Sequence, residues 1–320
     1  MQKILIIRFS SIGDIVLTSP IIRCIKLQTN AELHYLTPHK YLEIVKSNPH
    51  IDQVFTIQND TTEILKQLKA EKYDVIIDLH NNIRSFWVKI NLKCLYYSVK
   101  KYTWHKLLLL YCGINLLNNH VVDRYFGSLI KMNISNDNLG LDYFLKSGTS
   151  VNFNINQFFF TWCIGASHSQ KQLSENQIIE VCNNLTHPVV LIGGDNEIDM
   201  GIRILEGCKQ KNIYNFCGEL SLSQSAYLIK KSHLVLTNDT GFMHVAASFK
   251  KNIISFWGCT KPVWGFYPYR SGENSIQIVI NPSLPPCSKH GNYCKIDSEG
   301  CVKKIESSTI YKEIGNITGV

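Results

Sequence analysis

The chain has 320 residues, of which 45% are hydrophobic and 18% charged, a composition typical of a soluble globular protein and not of a disordered or fibrous one. Its 33 Lys and Arg exceed its 25 Asp and Glu, and the net charge of +8 favours anionic partners such as phosphates, nucleic acid or an acidic membrane surface. The length favours two domains of roughly 150 residues each. The absence of any uninterrupted apolar run of about eighteen residues argues against a membrane-spanning protein.

The N-terminus lacks the long apolar centre and the cleavage site of a secretory signal, since Lys3 is followed by only four apolar residues, 4–7, and then by Arg8. Eleven cysteines, an odd number, are scattered through the chain, and most of them lie in apolar strings where a reduced cysteine packs as a small core residue. Both features predict a cytoplasmic protein with reduced thiols.

Alternating strands and helices are predicted along the first half of the chain. Residues 4–7 form a continuous run of Ile and Leu that is typical of a buried strand. Further strands are predicted at 32–36, 53–57 and 73–79, and helices at 15–27 and 62–70. Because buried strands that alternate with helices form parallel βαβ units, this half predicts an open α/β domain over residues 1–150.

A polar segment, residues 146–157, is rich in Ser, Asn, Gly and Thr and is interpreted as an interdomain linker. A second α/β domain is predicted over 151–320, with strands at 158–164, 189–192, 213–216, 234–237 and 252–256 and helices at 174–184, 197–209, 221–230 and 241–248. Two such domains in tandem predict a cleft between them. Ligands of open α/β sheets bind at the carboxyl ends of the strands, so the loops after the strands are where we expect the chemistry.

The loop Arg8-Phe-Ser-Ser-Ile-Gly-Asp14 follows the first strand and opens the first helix. The loop contains one glycine, Gly13, whereas the Gly-x-Gly-x-x-Gly fingerprint requires three. This difference disfavours a nicotinamide-dependent dehydrogenase. Asp14 instead places a carboxylate at the start of a helix, where it could act as a general base. Asp is also a frequent helix cap, so a purely structural role for Asp14 remains the alternative.

A second candidate segment, Asn238-Asp239-Thr240-Gly241, leads from a strand into a helix that contains His244. The free N–H groups and the dipole of a helix N-terminus bind anions, and small residues let the backbone approach, so this segment predicts a phosphate site. The alternative is an ordinary capped helix with His244 in the core. A third segment, the loop 164–171, offers the Ser167 hydroxyl and the Lys171 ammonium to a phosphate, although a lone lysine in a surface loop is usually only solvated.

In order and spacing, these segments resemble glycosyltransferase family 9, the bacterial lipopolysaccharide heptosyltransferases. The resemblance covers nearly the whole chain, and the segments that carry it are residues 4–20, the Gly-Ala-Ser loop up to Lys171, residues 238–247 and Phe256-Trp-Gly-Cys-Thr-Lys-Pro262. It implies an α/β GT-B fold of two Rossmann-like domains, the N-terminal one for the acceptor and the C-terminal one for the nucleotide sugar. It also implies an inverting transfer that requires no metal or other cofactor.

The resemblance assigns roles residue by residue. It makes Asp14 the general base, with Ser11 and Gly13 on the acceptor side, and it places Ser167 and Lys171 on the donor diphosphate. The diphosphate and sugar site would comprise Asp239, Thr240, Gly241 and His244. The expected donor is a nucleotide sugar, ADP-heptose, and the expected acceptor is a lipopolysaccharide core or another lipid-linked glycan.

Departures from the family pattern leave the nucleotide base open. The family often has Phe-Gly-Pro-Thr where this chain has Phe256-Trp-Gly-Cys-Thr260, and Glu197 is a guess for a contact to the nucleoside. A different class, a non-catalytic nucleotide-sugar or nucleic-acid binding module, stays open. Asp14 together with Lys171 favours the enzyme, because a binding module has no need of a base.

Cysteines near the C-terminus form the pattern Cys287-x2-His290-x3-Cys294-x6-Cys301, which could supply four ligands to a structural zinc ion. Some members of the resembled family carry a cysteine-rich segment at this place. The spacing lacks a Cys-x-x-Cys knuckle, so free or loosely paired thiols are the preferred interpretation.

Residues 79–122 contain six Lys and Arg and no Asp or Glu. Aromatic residues are interleaved with them: Phe86, Trp87, Tyr96, Tyr97, Tyr102 and Trp104. Such a stretch could lie on an anionic lipid surface, stack on nucleic-acid bases, or form a solvated basic face above an aromatic core. With the family resemblance, peripheral binding to the inner membrane is preferred and no nucleic acid is expected.

Overall fold

The computed structural model describes residues 1–58 and 60–319, which form two compact α/β units. The first unit comprises residues 1–102 and 119–146. The second comprises residues 103–118 and the chain from residue 147 onward. The chain therefore changes units at 146/147, where the sequence placed the boundary at 150/151, and residues 103–118 pack with the second unit although they were expected in the first.

The first unit is built on a parallel sheet of five strands. Its strands are β1 (Lys3–Ile7), β2 (Glu32–Pro38), β3 (Gln53–Ile57), β4 (Val75–Asp78) and β5 (Leu95–Ser98). They lie in the order β3-β2-β1-β4-β5, each parallel to its neighbours. Both faces of the central strands are buried, which explains their continuous apolar sequence. The chain direction across the sheet reverses between β1 and β4, and this switch point is where open sheets place ligands.

Helices up to residue 126 are α1 (Ile12–Val16), α2 (Ser19–Gln28), α3 (Leu42–Val45), α4 (Thr62–Ala70), α5 (Ile83–Leu92), α6 (Thr103–Leu107) and α7 (Val121–Phe126). The helix α6 runs into a π-helical turn, Leu108–Cys112, in the second unit. The single helix predicted over 15–27 is two helices. Pro20 lies in the first turn of α2. A proline has no backbone N–H to donate to the preceding helical turn, and its ring clashes with that turn, so the helix breaks before it.

The second unit contains a parallel sheet of six strands. Its strands are β6 (Phe160–Cys163), β7 (Val189–Ile192), β8 (Ile213–Asn215), β9 (Leu234–Asn238), β10 (Asn252–Trp257) and β11 (Ile276–Val279). They lie in the order β11-β10-β9-β6-β7-β8, each parallel to its neighbours. This is the Rossmann strand order, with the switch point between β6 and β9.

The helices of this unit after residue 147 are α8 (Glu175–Asn184), α9 (Ile198–Gly207), α10 (Leu222–Lys231), α11 (Gly241–Ser248) and α12 (Ser307–Thr318). The predicted bounds of β3, α4, β7 and α11 agree with the structure, whereas α5, β5, β11 and α12 were not predicted. Among the described residues, no helix has the length and apolarity needed to cross a bilayer.

Candidate active site

Asp14 lies in the first turn of α1, directly after β1. Its Oδ2 accepts hydrogen bonds from the Ser11 N–H at 3.0 Å and the Ser11 hydroxyl at 3.1 Å, and its Oδ1 lies 2.6 Å from the Arg8 guanidinium. Asp14 therefore caps α1 and also forms an ion pair with Arg8. The side chain stays 22% exposed, so the carboxylate is open to a substrate hydroxyl. Gly13, beside it, is buried.

Arg8 holds the two sides of the first switch point together. Its Nε donates to the Ser10 carbonyl at 2.7 Å, and a second nitrogen donates to the carbonyl of Leu79, just after β4. Burial lowers the pKa of the Arg8 guanidinium, but the charge of Asp14 with its neighbours more than offsets this, so the pKa is raised overall. Arg8 is thus permanently charged and fixes the position of Asp14.

His80 follows β4 and lies beside this pair, with its ring centroid 5.3 Å from that of Phe9. Burial, and then the charge of Arg8, lower the pKa of His80 to about 4. Its Nδ1 is buried and has no hydrogen-bond partner among the described residues. The imidazole is therefore neutral at pH 7. Sequence reasoning missed Arg8 and His80, although both come directly after the strands that flank the switch point.

Three loops of the second unit meet at one carboxylate. Lys171 follows β6 and places its Nζ 2.6 Å from Asp239 Oδ2, and Asp239 follows β9. Thr260, after β10, donates its hydroxyl to the same Oδ2 at 2.7 Å. The side chains of Lys171 and Asp239 are only 10% and 15% exposed. The predicted residues Lys171 and Asp239 are thus brought together, and Thr260 is a third member to which the sequence assigned no role.

Asn238 ties β9 to β6 at the second switch point. Its side-chain amide donates to the carbonyls of Ile164 at 2.9 Å and Gly165 at 3.2 Å. The next residues open α11, where Thr240 is the N-cap and makes no side-chain capping bond. Thr240, and not Asp239, is therefore the N-cap of α11, and the Asp239 carboxylate contacts Lys171 and Thr260 instead. The first-turn N–H groups of α11, beginning at Gly241, remain suited to an anion.

His244, Ser167 and Glu197 differ in their placement. His244 is 4% exposed within α11, and Ser167 is exposed in the loop after β6. Glu197 is buried and accepts hydrogen bonds from the Gly194 N–H at 2.9 Å and the Gln172 amide at 3.1 Å. A Cβ on Gly165 would lie 2.9 Å from the Glu197 carboxylate, so this acid borders the loop after β6.

A sequence profile of glycosyltransferase family 9 (heptosyltransferase) matches residues 61–295. The chain belongs to glycosyltransferase family 9. It is a glycosyltransferase with the GT-B fold, as the sequence predicted, and its two parallel-sheet units agree with that fold.

Known proteins similar to this family 9 enzyme span its whole length. Lipopolysaccharide heptosyltransferase 1 of Campylobacter coli is 22% identical over 99% of this chain and 99% of the relative. The structure of a glycosyl transferase family 9 protein from Veillonella parvula has a TM-score of 0.83 at 19% identity and covers 99% of this chain and 97% of the other. An Escherichia coli heptosyltransferase solved with ADP has a TM-score of 0.71 at 15% identity, covering 98% and 97%.

The cysteine cluster of this glycosyltransferase differs from the predicted set. Four sulfurs, those of Cys259, Cys287, Cys294 and Cys301, all lie within 4.8 Å of one another. His290 is exposed and lies outside this group. Cys259, which the sequence pattern did not include, enters from the loop after β10. The predicted ligand set is therefore corrected by exchanging His290 for Cys259.

Proposed function

We propose that this glycosyltransferase transfers a heptose from ADP-heptose to a lipopolysaccharide-type acceptor, with inversion at the anomeric carbon. The observation that supports it most directly is the Lys171–Asp239–Thr260 group beside the uncapped N-terminus of α11, a combination suited to a diphosphate. The names of the relatives, lipopolysaccharide heptosyltransferases and a heptosyltransferase solved with ADP, support the sugar and the nucleotide.

On the donor side, negative charge gathers on the leaving nucleoside diphosphate as its bond to the sugar breaks. The Lys171 ammonium and the first-turn N–H groups of α11 meet that charge. Asp239 holds Lys171 in one position at 2.6 Å, so little rearrangement is needed when the diphosphate arrives. With these groups present, activity is expected without added Mg²⁺ or Mn²⁺, and a strict requirement for either ion would contradict the mechanism.

On the acceptor side, Asp14 takes the proton from the attacking hydroxyl. Arg8 and Ser11 orient the carboxylate through the contacts described above, and its partial exposure leaves room for a sugar hydroxyl. His80 is neutral near pH 7 because of its lowered pKa, so it adds no competing charge at the base.

Nucleotide specificity is the first experiment. ADP and ADP-heptose are expected to raise the melting temperature of the purified protein, while UDP-glucose and GDP-mannose at the same concentration leave it unchanged, because a ligand stabilises only the state it binds. Release of ADP from ADP-heptose on addition of a lipopolysaccharide acceptor then distinguishes the enzyme from a non-catalytic binding module. Stabilisation by ADP with no acceptor-dependent release would support the module instead.

Association with an anionic membrane surface is a further part of the proposal. The helix α5 exposes Ile83, Phe86 and Trp87 at 88%, 54% and 46%, so these side chains are not the core of a solvated basic face. The basic residues exposed near them are Arg84 in α5, Lys93 directly after it, and Lys100 and Lys101 after β5. Apolar and basic groups side by side suit a lipid interface.

Vesicles test this surface. The protein is expected to sediment with vesicles that contain phosphatidylglycerol and to be released as salt rises, because charge attraction is screened over about 10 Å at 0.1 M. Reversing Lys100 and Lys101 to Glu weakens binding, whereas reversing the exposed Lys66 and Lys69 of α4 leaves it nearly unchanged. No binding at low salt, or equal loss in both variants, would refute a lipid role for this surface.

A further inference from the structure

Four cysteine sulfurs meet in the second unit at distances that suit one metal ion. The Sγ atoms of Cys259 and Cys301 are 3.9 Å apart and those of Cys287 and Cys294 are 3.7 Å apart. Four thiolates bound tetrahedrally at about 2.3 Å lie about 3.8 Å from one another. A disulfide would bring a pair of sulfurs to about 2.05 Å. The spacing is therefore that of a tetrathiolate site rather than of two disulfides.

The surroundings of the sulfurs favour thiolates. Cys294 Sγ accepts hydrogen bonds from the backbone N–H groups of Ile296 and Asp297, both at 3.4 Å. Hydrogen bonds of this kind stabilise the negative sulfur that a metal requires. Cys259, Cys287 and Cys301 are buried, so the group is shielded from competing water.

A buried lysine lies in the same loop as Cys259. Lys261 is 4% exposed, and its ammonium donates to the carbonyls of Ile280 and Asn281. Lys261 follows Cys259 by two residues, and within the part of the chain that the structure describes no carboxylate pairs with it. Buried ammonium groups are normally balanced by a negative charge. A divalent ion with four thiolates carries a charge of −2 and supplies that balance.

We propose that Cys259, Cys287, Cys294 and Cys301 bind one thiophilic metal ion, zinc or iron, as a structural site of this enzyme. Tetrahedral sulfur sites in proteins take these metals. Binding replaces the four thiol protons, which leave to solvent, and no other bond is made or broken.

The bound ion would hold in place the loops that pack against Lys171. The importance of this for activity rests on the proposed role of Lys171 at the donor site. A Cβ on Gly291, whose φ is +77°, would lie 2.4 Å from Lys171 Cδ, and a Cβ on Gly300, at φ +106°, would lie 2.4 Å from the Gln170 carbonyl oxygen. The loop that holds three of the cysteines is thus folded directly against the turn that ends at Lys171. Cys259 precedes Thr260, which contacts Asp239. The ion would fasten this loop and the loop after β10 behind the donor residues.

Metal analysis of the full-length protein, purified without chelator, tests the site independently of activity. One zinc or one iron per chain is expected, and elemental analysis distinguishes the two. Replacement by Co²⁺ is expected to give the strong visible absorption of a tetrahedral thiolate complex. Cys294→Ser, the mildest change because this side chain is only partly buried, is expected to lower the metal content at least tenfold. Cys112→Ser, an exposed cysteine outside the group, keeps one ion per chain.

Three results would overturn the site. They are a metal content near zero in the wild-type protein after expression with zinc and iron, an intact-mass decrease of four hydrogens that reports two disulfides, and unchanged metal content in both Cys294→Ser and Cys301→Ser. Donor binding is measured separately. A metal-bound protein that fails to bind ADP contradicts the proposed function, whereas a metal-free protein that binds ADP with wild-type affinity contradicts only the metal site.

Discussion

The two units each place an ion pair at the switch point of a parallel sheet, but they assemble it differently. Arg8 and Asp14 belong to one loop, and a single helix start brings them together at 2.6 Å. Lys171, Asp239 and Thr260 come from loops after three strands, β6, β9 and β10, and meet only because those strands are neighbours. The first site is therefore set by local sequence, and the second by the register of the whole sheet.

Removal of the Asp14 charge should give the largest change in turnover, and it distinguishes the two units because ADP binding should stay unchanged. Asp14→Asn keeps the hydrogen-bonding shape of the cap but cannot accept the acceptor's proton, so turnover falls on the order of 100-fold to 10,000-fold while ADP affinity stays near wild type. Asp52→Asn, a carboxylate of the same unit paired with Lys26 at 2.6 Å, is the matched control. Turnover within threefold of wild type in Asp14→Asn would mean that Asp14 is only a cap.

Lys171→Met tests the assembled site. Loss of a charged donor near the leaving group should reduce turnover on the order of 100-fold and weaken ADP binding as well, in contrast to Asp14→Asn. The variant also leaves Asp239 without its cation, and removal of one partner from a fully buried pair costs about 3–5 kcal/mol, less here because both side chains retain some exposure.

Arg203→Ala is the control for Lys171, since its pair with Glu175 is 55% and 33% exposed. That change should leave both the free energy of unfolding and the turnover nearly unchanged, because an exposed ion pair is screened by solvent. Equal effects of the two variants on melting temperature and ADP affinity would argue that Lys171 is an ordinary surface lysine.

The ion pair between Arg23 and Asp137 lies in the first unit, outside the candidate site, and its contribution to stability can be tested at low pH. Arg23, by its hydrogen bond to Asp137, lowers the pKa of that carboxyl to about 2. A pKa below the unfolded value contributes stability above about pH 4 that is lost as the pH falls through about 2. After allowance for solvent screening, the contribution is on the order of 1 kcal/mol. Urea unfolding should separate wild type from Asp137→Asn at pH 7 but not at pH 2. A constant difference would exclude this linkage.

His80 gives the smallest expected effect. Its proton NMR titration should be centred near pH 4, because burial and then Arg8 lower the pKa. The folded state favours the neutral ring, so this contribution to stability is present above about pH 6.5 and is lost as the pH falls through about 4. Arg8→Met should raise the pKa only part of the way, since burial remains. An ordinary titration near pH 6.5 in the wild type would show that the ring is solvated.

Elements with clear local signals could be predicted from the sequence. The helix α11 has its predicted bounds because Thr240 and Gly241 mark its start, and β7 is an isolated run of four apolar residues. The helix α5 was missed because its apolar residues lie on both faces, with Ile83 exposed and Val88 buried. When apolar residues lie on both faces of a helix, the sequence lacks the 3.6-residue alternation of apolar and polar positions by which a helix is recognised.

Candidate site residues could be named from the sequence, but the residues they contact could not. Lys171 and Asp239 were each recognised after a strand, yet their contact depends on the adjacency of β6 and β9, which no local pattern records. Cys259 was missed for the same reason, since it reaches the other three sulfurs only through the loop after β10. Arg8, in contrast, lay in the same loop as Asp14 and was within reach of sequence reasoning.

Residues 103–118 pack in the second unit although the chain on either side of them belongs to the first. This limits how the enzyme can be divided into fragments or recombined. Lys295 donates to the Leu110 carbonyl at 3.2 Å, and its ammonium lies 5.8 Å from the Tyr111 ring centroid. A fragment that ends at residue 146 would carry this segment without its packing partners, and a fragment that begins at residue 147 would lack it. Chimeras that exchange the whole second unit with another family member must therefore transplant two stretches of chain, not one.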